Sequence, residues 1–119
     1  MARSKEEKAQ FIKGLRESAK ALEGKIEIPF TLLEQFSPNN CLTILAQRPS
    51  ATSCAGFHAW REAGRSVRKG AKGIAILIPI GTQEEGEKPL FSWRYVFDIT
   101  DTEPLAENSP TMARELVSA

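Results

Sequence analysis

The chain has 119 residues, of which 41% are hydrophobic and 26% charged, and this composition predicts one globular domain with a core of its own. No apolar stretch reaches the roughly 20 residues of a membrane-spanning helix, and the charged N-terminus has no apolar signal region, so we expect a cytoplasmic protein without membrane contact. The formal net charge is only +1, but residues 58–73 carry five cations and one acid. This local excess of positive charge favours an anionic partner.

Helices are predicted in the N-terminal half of the chain. A first helix over residues 4–24 starts with capping-box spacing and continues with apolar residues at helical intervals. Pro29 opens either a short second helix or a turn, and the sequence leaves both possibilities open. A third helix begins after Ser37 and stops before Pro49, and a two-turn helix covers residues 57–63.

Strands are predicted after these helices. Residues 74–80 form a continuous aliphatic run of strand length, and residues 91–98 alternate between aromatic and other side chains. A polar loop joins the two runs, which indicates a hairpin. We therefore expect an α+β fold in which N-terminal helices pack on a small antiparallel sheet built around a long-loop hairpin. Residues 1–103 form the predicted domain, and residues 104–119 a linker or the start of another element.

Residue types that carry catalysis or bind metals are sparse. His58 is the single histidine, and no zinc-binding motif accompanies it. The glycines between residues 64 and 73 lack the spacing of a phosphate-binding P-loop and precede the strand instead of following it. Cys41 and Cys54 form no CxxC pair, so two free thiols are expected. The sequence thus predicts a protein that is not an enzyme and has no metal or cofactor.

We use the name basic segment for the five cations between residues 58 and 73: Arg61, Arg65, Arg68, Lys69 and Lys72. Glycines between them allow backbone N–H groups to approach an anion, and the lysines and arginines displace counterions from phosphates. The aliphatic strand that follows anchors the segment to the core. The segment is therefore predicted to hold phosphates, although a solvated basic turn that serves only solubility is an open alternative.

Three aromatic residues are candidates for stacking on unpaired bases: Trp60, Trp93 and Tyr95. Single-stranded nucleic acid is bound by a basic groove together with such rings. The alternative is that the aromatic face of the second strand, with Phe91 and Phe97, belongs to the core. Arg94 projects from the opposite face and is expected to meet solvent or ligand.

Two stretches, "GFHAWREAGRSVRKGAKGIAILIP" and "YVFDITDTEPL", resemble the N-terminal domain of ArdC-type antirestriction proteins. The resemblance covers residues 37–105 and includes Asn40, which joins the candidate DNA-binding residues. Ala71 departs from the family pattern, in which Glu is usual, and Asp101 stands where Gln is usual. These departures leave the family assignment intact.

The resemblance implies a domain that binds single-stranded DNA with little sequence preference and is carried by plasmids and other mobile elements. It implies a role in protecting incoming DNA from restriction. In the family a zinc metallopeptidase-like domain usually follows, and it is a possible partner in cis. A competing hypothesis is a protein-interaction module whose basic segment docks an acidic partner.

Overall fold

The computed structural model of the protein describes residues 4–82 and 89–105. The loop of the predicted hairpin and most of the predicted linker lie outside these residues. The helices are α1 (Lys5–Leu22), α2 (Phe30–Gln35), α3 (Pro38–Gln47) and α4 (Phe57–Glu62). The strands are β1 (Cys54–Ala55), β2 (Arg65–Val67), β3 (Ile74–Thr82), β4 (Pro89–Asp98) and β5 (Thr102–Pro104), with a 3-10 turn over Ile99–Asp101. The predicted α+β class is confirmed.

Local signals set the helix boundaries where the sequence predicts them. The Ser4 hydroxyl accepts a hydrogen bond from the backbone N–H of Glu7 at 3.1 Å and caps α1. Gly24, just beyond the end of α1, has a φ of +73°, a conformation that favours glycine. Ser37 caps α3 in the same way, at 3.3 Å from the N–H of Asn40. The segment after Pro29, which the sequence left open, is a short helix.

The predicted hairpin is confirmed by the antiparallel pairing of β3 with β4. Ile74 pairs with Val96, and the register continues to Pro79 and Phe91 before it shifts at Gly81. The strand β1 adds to the other edge of β4, so the sheet order is β1-β4-β3. Within residues 4–82 and 89–105, no helix is long and apolar enough to cross a membrane.

A second, two-stranded sheet pairs β2 with β5, and the sequence analysis did not predict it. Arg65, Ser66 and Val67 face Pro104, Glu103 and Thr102 in antiparallel register. The N–H of Leu105 then donates to the carbonyl of Gly64 at 3.0 Å. Three-residue strands carry too short a pattern to be recognised, and the pairing joins segments far apart in the chain. Part of the basic segment is therefore a strand rather than a turn.

The hydrophobic core lies between α2, α3 and one face of the hairpin. Leu32 and Ile44 are fully buried there against Ile74, Ile76 and Val96. The alternation along β4 is as predicted, and the most deeply buried side chains lie on the face opposite the aromatic residues. Val96 and Asp98 point into the core, whereas the aromatic residues on the other face are half-buried or exposed. The isoleucines of β3, at positions 74, 76 and 78, pair with the non-aromatic residues of β4, so this face of the hairpin meets the core.

Candidate nucleic-acid interface

Trp60 holds α4 against the sheet. It is the buried residue of this helix, with 7% of its surface exposed, and its indole N–H donates to the carbonyl of Phe97 on β4 at 2.8 Å. The prediction that Trp60 offers a stacking surface is therefore wrong, because the ring faces the protein interior. The aromatic side chains that α4 does expose are Phe57, at 44%, and His58 beside it.

Two guanidinium groups of the basic segment converge on Thr102. Arg65 donates from Nε to the threonine hydroxyl at 2.6 Å and from a terminal nitrogen to the threonine carbonyl at 3.2 Å. Arg68 donates from Nε to the same carbonyl at 3.5 Å. The β2–β5 pairing brings Thr102 beneath both arginines. The arrangement fixes two positive groups next to one another, a geometry suited to a shared anion.

The next cations lie on and beside a tight turn. The N–H of Ala71 donates to the carbonyl of Arg68 at 3.0 Å, and Gly70 has the φ of +84° that the third position of such a turn requires. Lys69 occupies the second position and is exposed, as is Lys72 after the turn. Arg61 is exposed in the last turn of α4. These side chains extend into solvent from a backbone that hydrogen bonds constrain.

Ion pairs do not neutralise the basic segment within the part of the chain that the structure describes. The salt bridges found there join Lys13 to Glu17 at 3.9 Å and Arg48 to Asp101 at 2.6 Å. The cations at positions 61–72 thus face solvent or neutral oxygen atoms. Positive groups that already had carboxylate partners would attract a polyanion less strongly.

Tyr95 is an exposed ring beside Gly73, the residue that follows Lys72. It is 46% exposed, and its side chain lies against Gly73, where an added Cβ would come within 3.0 Å of its Cβ and Cδ1 atoms. A glycine at position 73 therefore leaves the space that this ring needs. Trp93, on the same face of β4, packs on Phe11 of α1 with ring centroids 4.8 Å apart and is half-buried. Arg94 is exposed on the opposite face of the strand.

Asn40 serves the fold, and its assignment to the DNA-binding residues is corrected on this ground. Its side-chain amide donates to the carbonyl of Leu77 and accepts from the N–H of Leu77, both at 2.9 Å. Gln47, two turns later on α3, makes the same pair of bonds to Ala75 at 2.7 and 2.9 Å. The two amides occupy the edge of β3 that β4 does not cover. We call this arrangement the amide clamp.

A buried carboxylate supports the opposite side of the sheet. Asp98 is fully buried and accepts from the N–H of Thr52 at 2.9 Å and from the N–H and hydroxyl of Thr100 at 3.1 and 2.5 Å. Burial raises the pKa of Asp98, but these hydrogen bonds outweigh it and bring the pKa below its ordinary value. Burial and the Asp98 charge raise the pKa of Cys54 to about 12. This thiol is therefore no nucleophile at neutral pH.

Metal-ligating side chains do not gather in the described ranges. Within residues 4–82 and 89–105, no group of three or more His, Cys, Asp or Glu residues is placed to hold a metal ion. The described surface carries positive charge, hydrogen-bond donors and exposed rings. Thr102, which is buried and accepts hydrogen bonds from the two arginines, and Gly73, which leaves room for Tyr95, shape that surface and were not among the predicted site residues. Both residues fall within the quoted stretches that carry the resemblance, and only the contacts of the fold show what each of them does.

Comparisons with known proteins point to a single family. A family model described as the N-terminal domain of anti-restriction factor ArdC matches residues 2–115. A search of curated proteins returned no match. Among solved structures, the manganese-bound antirestriction ArdC protein from plasmid R388 is similar, with 17% identity and a TM-score of 0.43. That similarity covers 79% of this chain and 41% of the ArdC chain, so this chain spans less than half of that protein.

Proposed function

Because the chain belongs to the family of ArdC N-terminal domains, we propose that it binds single-stranded DNA with little sequence preference. The family is that of an anti-restriction factor, and the domain supplies DNA binding rather than catalysis to that role. It acts in the cytoplasm, on incoming DNA of mobile elements. A metallopeptidase-like domain in cis is a partner that fits this proposal.

The observation that carries the proposal is a set of cations that lack acidic partners in the described chain, next to an exposed ring. Lys69 and Lys72 are exposed on and after the turn, and Tyr95 packs on Gly73, the residue after Lys72. Phosphates bind through such charges without regard to sequence, and unpaired bases stack on such rings. Duplex DNA keeps its bases paired and stacked on one another, so an aromatic ring favours the single strand.

The side chains have different roles in this binding. Lys69 and Lys72 make mobile phosphate contacts, because each is a flexible point charge. Arg65 and Arg68, which share Thr102 as an acceptor, hold a phosphate in a fixed position. Tyr95 receives a base. Trp93 has less free surface for such a contact, since it packs on Phe11.

The test measures the binding of labelled oligothymidylate by fluorescence anisotropy over a range of salt concentrations. If all five cations of the basic segment contact phosphate, log K falls against log salt with a slope of about −3.5. Replacing Lys69 and Lys72 by Ala weakens binding and makes the slope shallower by about 1.4. The two lysines suit this test because their side chains make no hydrogen bond with other described residues.

The matched control replaces Lys8 and Lys20, two exposed lysines of α1, and changes the net charge equally. We expect this control to leave the slope unchanged. An equal effect of both double variants would show that only the overall charge matters. Absence of binding at low salt would contradict the proposal and favour an acidic protein as the partner of the basic segment.

A further inference from the structure

We propose that Phe57 and His58 of α4 form a second base-stacking platform, beside Tyr95, for a bound single strand. The inference rests on the proposed DNA binding and assigns to it two exposed residues of α4 in place of the buried Trp60. Trp60 is buried and cannot offer a ring to a base, whereas Phe57 is 44% exposed and can.

The two side chains form a paired aromatic surface. The rings of Phe57 and His58 stand edge to face, with centroids 5.5 Å apart and an angle of 86° between their planes. Both residues are exposed. Because Trp60 fixes the helix to the carbonyl of Phe97, the rings sit on a backbone that does not need to reorganise when a base arrives.

The register of the sheet brings the start of α4 to β4, the strand that carries Tyr95. The strand β1 pairs Cys54 with Asp98 and Ala55 with Phe97, and the chain stays extended through Gly56. The helix α4 thus begins beside β4, two residues after Ala55 pairs with Phe97, and in this proposal one strand of nucleic acid reaches both rings.

Positive charge accompanies the platform. Arg61 follows Phe57 by four residues, which places both on one side of α4, and it is exposed without an acidic partner among the described residues. The chain then passes through Gly64 into β2, where Arg65 begins the arginine pair at Thr102. A ring flanked by cations fits a nucleotide, whose base is apolar on its faces and whose phosphate is negative.

Another exposed phenylalanine lacks this setting and provides a control. Phe30 of α2 is 74% exposed, more than Phe57, but α2 has no basic residue in its sequence. A ring that contributes only apolar surface would act equally at either position. Phe57 differs from Phe30 in two respects: its helix carries Arg61, and its helix is bonded to β4 through Trp60.

The experiment compares Phe57→Ala with Phe30→Ala on two probes of equal length, oligothymidylate and an abasic oligodeoxynucleotide. We expect Phe57→Ala to weaken oligothymidylate binding about 5- to 150-fold, the range for the loss of one stacked base. Binding of the abasic strand and the salt slope stay unchanged, because the phosphate contacts remain. Phe30→Ala leaves both affinities unchanged, and Phe57→Trp restores the preference for the strand that has bases.

Each contrary result has a distinct meaning. Equal affinities of Phe57→Ala and Phe30→Ala for oligothymidylate would refute the platform, while salt-dependent binding by the unmodified protein would leave the proposed function standing. An equal loss on the abasic strand would refute stacking and assign Phe57 a structural role. If the unmodified protein bound neither probe, both proposals would fail together.

Discussion

Replacing Asn40 by Ala should destabilise the protein without weakening its binding of DNA. The substitution removes two hydrogen bonds to Leu77, each 2.9 Å long, and leaves an edge N–H and carbonyl of β3 without these partners. At about 1 kcal/mol for each bond, the free energy of unfolding falls by about 2 kcal/mol. For a domain of this size the midpoint of thermal unfolding then falls by roughly 8 °C.

Asn39 offers a matched control one residue earlier on α3. It is exposed, and its side chain makes no hydrogen bond with the described residues. Both substitutions exchange the same residue types within the first turn of one helix, so differences in helix propensity largely cancel. Thermal unfolding followed by circular dichroism gives the comparison, and anisotropy with oligothymidylate is measured well below the lower midpoint.

Two outcomes would refute this reasoning. Equal unfolding midpoints for Asn39→Ala and Asn40→Ala would mean that the amide clamp adds nothing to stability. A selective loss of DNA affinity in folded Asn40→Ala would mean that the amide contacts the ligand after all. The double variant Asn40→Ala, Gln47→Ala extends the test, because it uncovers the β3 edge at two positions. Uncovered edges pair with other chains, so this variant should also associate, as light scattering would reveal.

Two further predictions concern the buried groups behind the sheet. The pKa of Asp98 is lowered in the folded state, so its ionised form stabilises the fold above roughly pH 4 and this contribution is lost as pH falls through the folded pKa. In urea unfolding at pH 7, the Asp98→Asn variant should lose about 2–3 kcal/mol of unfolding free energy. Between neutral and acid pH, its unfolding free energy should also change less than that of the control variant Glu103→Gln. Equal pH profiles of the two variants would contradict this prediction. The pKa of Cys54 is raised to about 12, so its thiol should resist iodoacetamide in the native protein at pH 8 and react once urea unfolds the chain. Fast alkylation of the native protein would contradict this prediction, because it would show that the thiol is accessible and ionised.

The sequence predicted those features that depend on neighbouring residues. The start of α1 needs only Ser4 and a helix behind it, and the structure shows that cap. The hairpin follows from two apolar runs separated by a polar loop, and β3 and β4 pair as expected. In both cases the signal lies within one continuous stretch, so no tertiary contact is required to read it.

The features that the sequence could not predict depend on contacts between distant segments. A helix of six residues has too few turns to show which side is buried, so the sequence pattern does not show that Trp60 faces the interior and Phe57 the solvent. Only the hydrogen bond from Trp60 to Phe97, 37 residues later, decides between them. The β2–β5 pairing likewise depends on Thr102 meeting Val67 across a long separation. The alternation along β4 predicts that the strand has two different faces, but it does not show which of the two faces packs against the core.

The residues that carry the resemblance divide into two groups once their contacts are known. The side chains of Asn40 and Trp60 form hydrogen bonds with the backbone of β3 and β4. These bonds give both residues a structural role in the fold. Lys69 and Lys72 form no hydrogen bond or ion pair with other described residues, so the fold gives no reason for their charge. Arg65 belongs to both groups, since Thr102 orients a guanidinium that has no acidic partner in the described chain. Residues of a shared motif can therefore be evidence for a common fold without being evidence for a common ligand. The proposal of DNA binding depends on the positively charged side chains to which the fold gives no structural role.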